Sequence, residues 1–194
     1  MWFENKVTSN KEAFLQKVRL ICAKLGIEPD WLMFVMNSES GLNPAAYNPN
    51  GGASGLIQFM PDTAKGLGTT TEALRKMSNV AQLDYVYKYF YPYRGKMSSL
   101  YDLYLVTFFP AALGKPDGYV LQTSTLPAKV IADANPGIDL NHDDRITVGE
   151  FKRWIDLKKK SMGLESGFNV FVIAGSIICA GIILWYIFKR DNDD

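Results

Sequence analysis

Asp30-Trp31-Leu32-Met33-Phe34-Val35-Met36-Asn37-Ser38-Glu39-Ser40-Gly41 is the stretch on which the fold turns. From Trp31 to Met36 it carries no polar residue, and Pro29 stands where a first helical turn tolerates proline. A helix apolar around its whole circumference belongs inside a core. This one runs from Asp30 to about Ser38 and ends in Asn37, Ser38, Glu39 and Ser40. A carboxylate set where a buried helix meets a loop is a candidate for a raised pKa and for function.

Working outward, Phe14, Val18, Ile21, Cys22 and Leu25 recur at helical spacing, with Ser9 and Glu12 as a capping box and Gly26 as the stop. On the other side, 43–58 is rich in Asn, Pro, Gly and Ser and reads as an irregular loop. Pro61 opens a helix through Leu67, and helices follow at about 71–78, 79–91 and 98–109, punctuated by Pro92 and Gly95. Tyr85, Tyr87, Tyr89, Tyr91 and Tyr93 alternate, yet the charges around them and Pro92 fit a helix end better than a strand. Core packing and an amphipathic surface account for them; stacking on sugar is the other reading. A Gly/Pro-containing connection over 110–126 leads to a short helix near 127–134 and a last helix carrying Phe151, Trp154, Ile155 and Leu157. The fold class is mainly α with minimal β.

Composition narrows the chemistry. With 194 residues, 47% apolar and 21% charged, the chain supports one sizeable core and an appendage. A net charge of +1 gives no electrostatic case for nucleic acid. Cys22 and Cys179 lie far apart with no metal-type spacing, and a single His142 excludes a His-rich zinc site as the main chemistry.

Phe168 to Phe188 holds no charge; at ~1.5 Å per residue it is long enough for a ~30 Å hydrocarbon layer. Trp185, Tyr186, Lys189 and Arg190 follow the pattern of an interface, so the expectation is one C-terminal transmembrane helix. The expected organisation is a domain over 1–126, a helical extension over 127–160, a linker at 161–167, the span at 168–188 and a polar tail at 189–194.

Three groups of residues carry a family resemblance: Glu39-Ser40-Gly41-Leu42-Asn43-Pro44, Gly55-Leu56-Ile57-Gln58-Phe59-Met60-Pro61, and Thr63-Ala64. In order, spacing and helix context they resemble the soluble lytic transglycosylase and goose-type lysozyme family, over roughly 31–68 closely and 69–115 loosely. The resemblance implies a lysozyme-like helical domain that cleaves the glycan strands of peptidoglycan, with Glu39 as the catalytic acid. Ser40, Gly55, Leu56 and Gln58 are then expected to position the acid or bind the N-acetylated sugar. No cofactor is needed, because a protonated carboxylic acid in an apolar pocket delivers the proton that a leaving sugar oxygen requires.

The chain departs from that family twice. Where the family carries Ala-Tyr-Asn-Ala-Gly, with a tyrosine on the acid, this sequence reads Thr107-Phe108-Phe109-Pro110-Ala111; Tyr104, or next Tyr101, is the expected replacement in the substrate site. No second carboxylate is motivated among Asp62, Asp84 and Asp102. One acid alone favours attack by the sugar's own 6-hydroxyl and a 1,6-anhydro product; a water-using muramidase is the alternative.

Asp139, Asn141 and Asp143 fall at positions 1, 3 and 5 of an EF-hand-like loop, Arg145 at the carbonyl position, Thr147 at 9 and Glu150 at 12. Asp144 replaces the usual turn glycine. Structural Ca2+ is one reading and a metal-free capped turn is the other.

The opening residues MWFENKVTSNKEAF carry no basic stretch followed by an apolar one, the pattern of a secretory signal. Lys152, Arg153 and Lys158–Lys160 outweigh Lys189 and Arg190, which places the domain on the cytoplasmic face. Together these lead to the expectation of a phage virion protein, in a viral membrane beside other virion proteins with the domain facing the capsid, that opens peptidoglycan as the phage crosses the wall. A wall-remodelling enzyme of the bacterial cell membrane is the runner-up, and a non-catalytic structural or sugar-binding protein with the same fold is the rival of another class.

Overall fold

The computed structural model describes residues 1–164. Its helices are α1 (Lys11–Leu25), α2 (Pro29–Ser40), α3 (Pro61–Gly66), α4 (Thr71–Lys76), α5 (Asn79–Phe90), α6 (Leu100–Phe108), α7 (Ala128–Ala134) and α8 (Val148–Ser161). Among the described residues, β pairing is limited to isolated bridges, Tyr47 with Ser54, Ser54 with Phe59 and Val120 with Thr147. The architecture is mainly helical, consistent with a lysozyme-like fold.

Two compact units divide it, Met1–Ala111 and a second beginning at Ala112, of which 112–164 is described. The sequence reading puts its boundary at 126/127 instead. The connection over 112–126 belongs to the second unit because it pairs there: the Leu121 N–H donates to Ile146 O at 2.8 Å and the Val148 N–H to Tyr119 O at 3.0 Å.

In the first unit α2 is the hub. Its residues Leu32 through Glu39 are all buried, which is what a helix apolar on every side requires. Trp2 meets Phe34 edge-on at 6.3 Å and Tyr104 of α6 meets it at 6.1 Å. Gly41 ends the helix at φ 63° with its N–H on Asn37 O at 2.9 Å, a left-handed conformation that costs any residue with a Cβ. Around α2, α1 packs along α5 and buries Phe14, Val18, Ile21, Cys22 and Leu25, the stripe its spacing predicts.

The start of α1 differs from expectation. Ser9 and Glu12 form no capping box; the N-cap is Asn10, in a left-handed conformation with no side-chain cap bond. Asn79 of α5 takes over, its Nδ2 donating to Ser9 O at 2.7 Å while Asn10 Nδ2 donates to Asn79 Oδ1 at 3.2 Å. A bond from a distant helix replaces the local one.

The second unit gathers Leu121, Leu126, Ile131, Ile146, Val148, Phe151 and Ile155 as its buried apolar side chains. Here a capping box does form, between Thr147 and Glu150 at the start of α8.

The expectation of a single-pass membrane protein, whether in a virion membrane or in the bacterial cell membrane, is corrected by the structure. Among the described residues no helix is long and apolar enough to cross a membrane. The longest, α1, has 15 residues with one polar face, against about 20 mainly apolar ones needed to span. Residues 168–188, on which that expectation rests, lie outside the described residues. The fold class is mainly α with no spanning helix among the described residues.

Candidate active site

Glu39 lies on the last turn of α2 with 5% of its surface exposed. It is buried rather than solvated because the helix carrying it is buried as a whole. The next residue fastens this helix end to the loop that follows: Ser40 Oγ bonds Met36 O and Leu56 O, each at 2.9 Å.

That loop is held from below by a residue the sequence reading passed over. Gln82 of α5 is fully buried, accepts from the Leu56 N–H at 2.9 Å, and donates to Pro44 O at 2.5 Å and Leu74 O at 2.6 Å. Gly55 passes directly over it at φ 79°, where a Cβ would stand 2.5 Å from Gln82 Oε1. The glycine is therefore required twice, by its backbone conformation and by the close approach. Gln58 follows with φ 53°, a left-handed conformation uncommon for a residue with a Cβ, and its Nε2 donates to Gly55 O at 3.1 Å. Strain held in place by its surroundings is characteristic of binding loops.

Ile57, Gln58, Phe59, Met60 and Thr63 line a small cavity together with Tyr89 and Thr107. Tyr89 is partly exposed there, but its hydroxyl turns inward and donates to Val106 O at 2.8 Å. Burial, then Tyr93, then Glu39 push this hydroxyl above the ordinary tyrosine range. Tyr93 is also raised, by burial.

The structure therefore brings Glu39, Ser40, Gly55, Leu56 and Gln58 into one helix-end and loop arrangement. Tyr104 is 1% exposed and packs edge-on against Phe34 of α2, the helix that carries Glu39. Thr107 from α6 and Tyr89 from α5 line the cavity together with Gln58. Tyr89 sits in the alternating tyrosine run, whose period gave no reason to prefer one ring over another. Only the packing of α5 against its neighbours selects it.

The three carboxylates weighed as second acids have other settings. Asp84 is exposed and pairs with Lys17 at 2.8 Å, and Asp102 accepts from Ser98 and Ser99 at the start of α6. Asp62 is exposed on the first turn of α3.

Residues 19–84 match the family model of the transglycosylase SLT domain. The match covers about a third of the chain and contains Glu39, Ser40, Gly55, Leu56, Gln58 and Gln82, while Tyr89, Tyr104 and Thr107 fall beyond it. SLT domains are the lysozyme-like domains of lytic transglycosylases that act on peptidoglycan, and this domain implies that activity in general. No curated protein and no solved structure matches the chain.

Proposed function

We propose that the chain cuts the bond between N-acetylmuramic acid and N-acetylglucosamine in peptidoglycan, with Glu39 as general acid and then base. The observation that carries this reading is the burial of Glu39 at the end of α2, bound through Ser40 to the 54–60 loop inside the SLT match. Burial among apolar groups favours the protonated carboxyl. That form gives its proton to the glycosidic oxygen as the C1–O bond breaks and oxocarbenium character builds on the sugar. The carboxylate left behind takes the proton of the sugar's 6-hydroxyl, which closes on C1 to give a 1,6-anhydro end. With Asp62, Asp84 and Asp102 placed as above, no second acid is required by this route.

Gln58, which lines the cavity, and the Gly55–Leu56 backbone that it bonds are assigned to the sugar's acetamido and hydroxyl groups. Tyr89 is a positioning residue. Its proton is committed to Val106 O, which leaves its oxygen as an acceptor at the cavity that Gln58 also lines.

A zymogram on purified cell wall tests this. The native chain clears the gel, Glu39→Gln lowers the rate by about 10²–10⁴-fold, and fragment masses show anhydro ends. Equal clearing by both proteins removes Glu39 from the chemistry, and reducing ends would replace the anhydro route with hydrolysis by water. The same cutting serves a phage crossing a host wall, beside other virion proteins, or a bacterium remodelling its own. Detection of the chain in purified particles decides between the two.

A further inference from the structure

The loop over 139–150 holds two buried carboxylates, Asp139 at 6% and Glu150 at 1% exposure. The ion pairs of the described residues reach this loop at Asp144, through Lys129 at 3.0 Å, and at neither buried acid. Asp139 is satisfied by backbone: the Asp143 N–H donates to its Oδ1 at 3.2 Å and the Asp144 N–H to its Oδ2 at 3.1 Å. Glu150 is only half satisfied. Its Oε2 accepts from Thr147 N at 2.9 Å and Thr147 Oγ1 at 2.8 Å, which turns the carboxylate back onto the loop; its Oε1 is buried with no hydrogen-bond partner.

A capping box does not explain this. One side-chain oxygen on the N-cap amide is all it uses, and glutamine performs that role as well as glutamate. A buried carboxyl group with an unsatisfied oxygen calls for a further partner. The loop carries oxygen donors at the spacing of a calcium loop, the side chains of Asp139, Asn141, Asp143 and Thr147 and the Arg145 carbonyl, and Thr147 bonds Glu150 directly. Such a set with no nitrogen or sulfur selects a hard cation, and its spacing and flexibility suit Ca2+ over the smaller Mg2+.

We infer that 139–150 is a calcium site whose shell is completed by the buried oxygen of Glu150. Among the described residues no three His, Cys, Asp or Glu side chains are already gathered around a metal position. Asn141 and Asp143 are exposed arms that swing inward on binding, and Glu150 gives up part of its hold on Thr147 to meet the ion. The other end of the loop is braced, since Ile146 is fully buried and its carbonyl accepts from Leu121. Calcium therefore tightens the entrance to α8 inside the second unit, independently of the chemistry at Glu39.

Calcium titration of the full chain by calorimetry, with amide hydrogen exchange over 139–155, tests the site. One ion binds and exchange slows across the loop and the first turns of α8. Glu150→Gln keeps the capping bond and lowers calcium affinity at least about tenfold, and Asp139→Asn lowers it similarly if the first variant folds poorly. Absence of binding heat together with unchanged exchange in the native chain overturns the site. So does native affinity in either variant.

Discussion

Glu39 and Tyr89 show what a single side chain contributes here and what it leaves to its neighbours. Sequence alone singles out Glu39, because a carboxylate ending a wholly apolar helix has few structural reasons to be there. Tyr89 has no such mark; it is one of five alternating tyrosines, and only its inward hydroxyl and its place on the cavity with Gln58 distinguish it. Tyr89→Phe keeps the ring against Phe59 and Phe90. We expect kcat on purified sacculi to fall about tenfold with KM little changed, and an unchanged kcat would remove Tyr89 from the site. The same variant has a pH signature. The folded hydroxyl titrates above its unfolded value of about 10, so its stabilising contribution is complete below pH ~10 and is lost as pH rises through the folded pKa. The urea midpoint of the native chain should therefore fall more steeply above pH 10 than that of Tyr89→Phe.

At the scale of elements, the loop between α2 and α3 is shaped more by α5 than by its own residues. Its glycines and prolines mark it as irregular, but they do not say which irregular path it takes. Gln82 decides that, by tying Pro44, Leu56 and Leu74 to one buried amide. Gly55→Ala forces either the φ of 79° or the contact with Gln82 Oε1 to give way. The expected loss is about 2–4 kcal/mol in urea unfolding, from backbone strain and broken buried hydrogen bonds together. A change below ~0.5 kcal/mol would mean that the loop is not held in this way. α1 teaches the same lesson from the other side. Its buried stripe is legible from the 3.6-residue period, yet its cap is not, because Asn79 reaches it from 69 positions away.

For the molecule as a whole, the first unit behaves as one packed body around α2. Cys22 reports on it: the thiol is fully buried and pushed up to about 12, first by burial and then by Glu28. In a chain carrying Cys179→Ser, labelling of Cys22 by a disulfide reagent at pH 8 should run at least about 10³-fold slower than for a free thiol, until denaturant opens the unit. Native labelling at the free rate would show that the core is not closed over α1. The sequence by itself determined the mainly α character, the buried helix over 30–40, the acid at its end and the EF-hand-like spacing of 139–150. These are local properties, written in periodicity and in fixed offsets along the chain. The tertiary structure alone decided that Tyr89 and Thr107 share a cavity with Gln58, that Gln82 sets the loop's path, and that Glu150 keeps one buried oxygen unsatisfied. Those outcomes depend on which helix faces meet, and residues far apart in sequence share a site only once packing has brought them together.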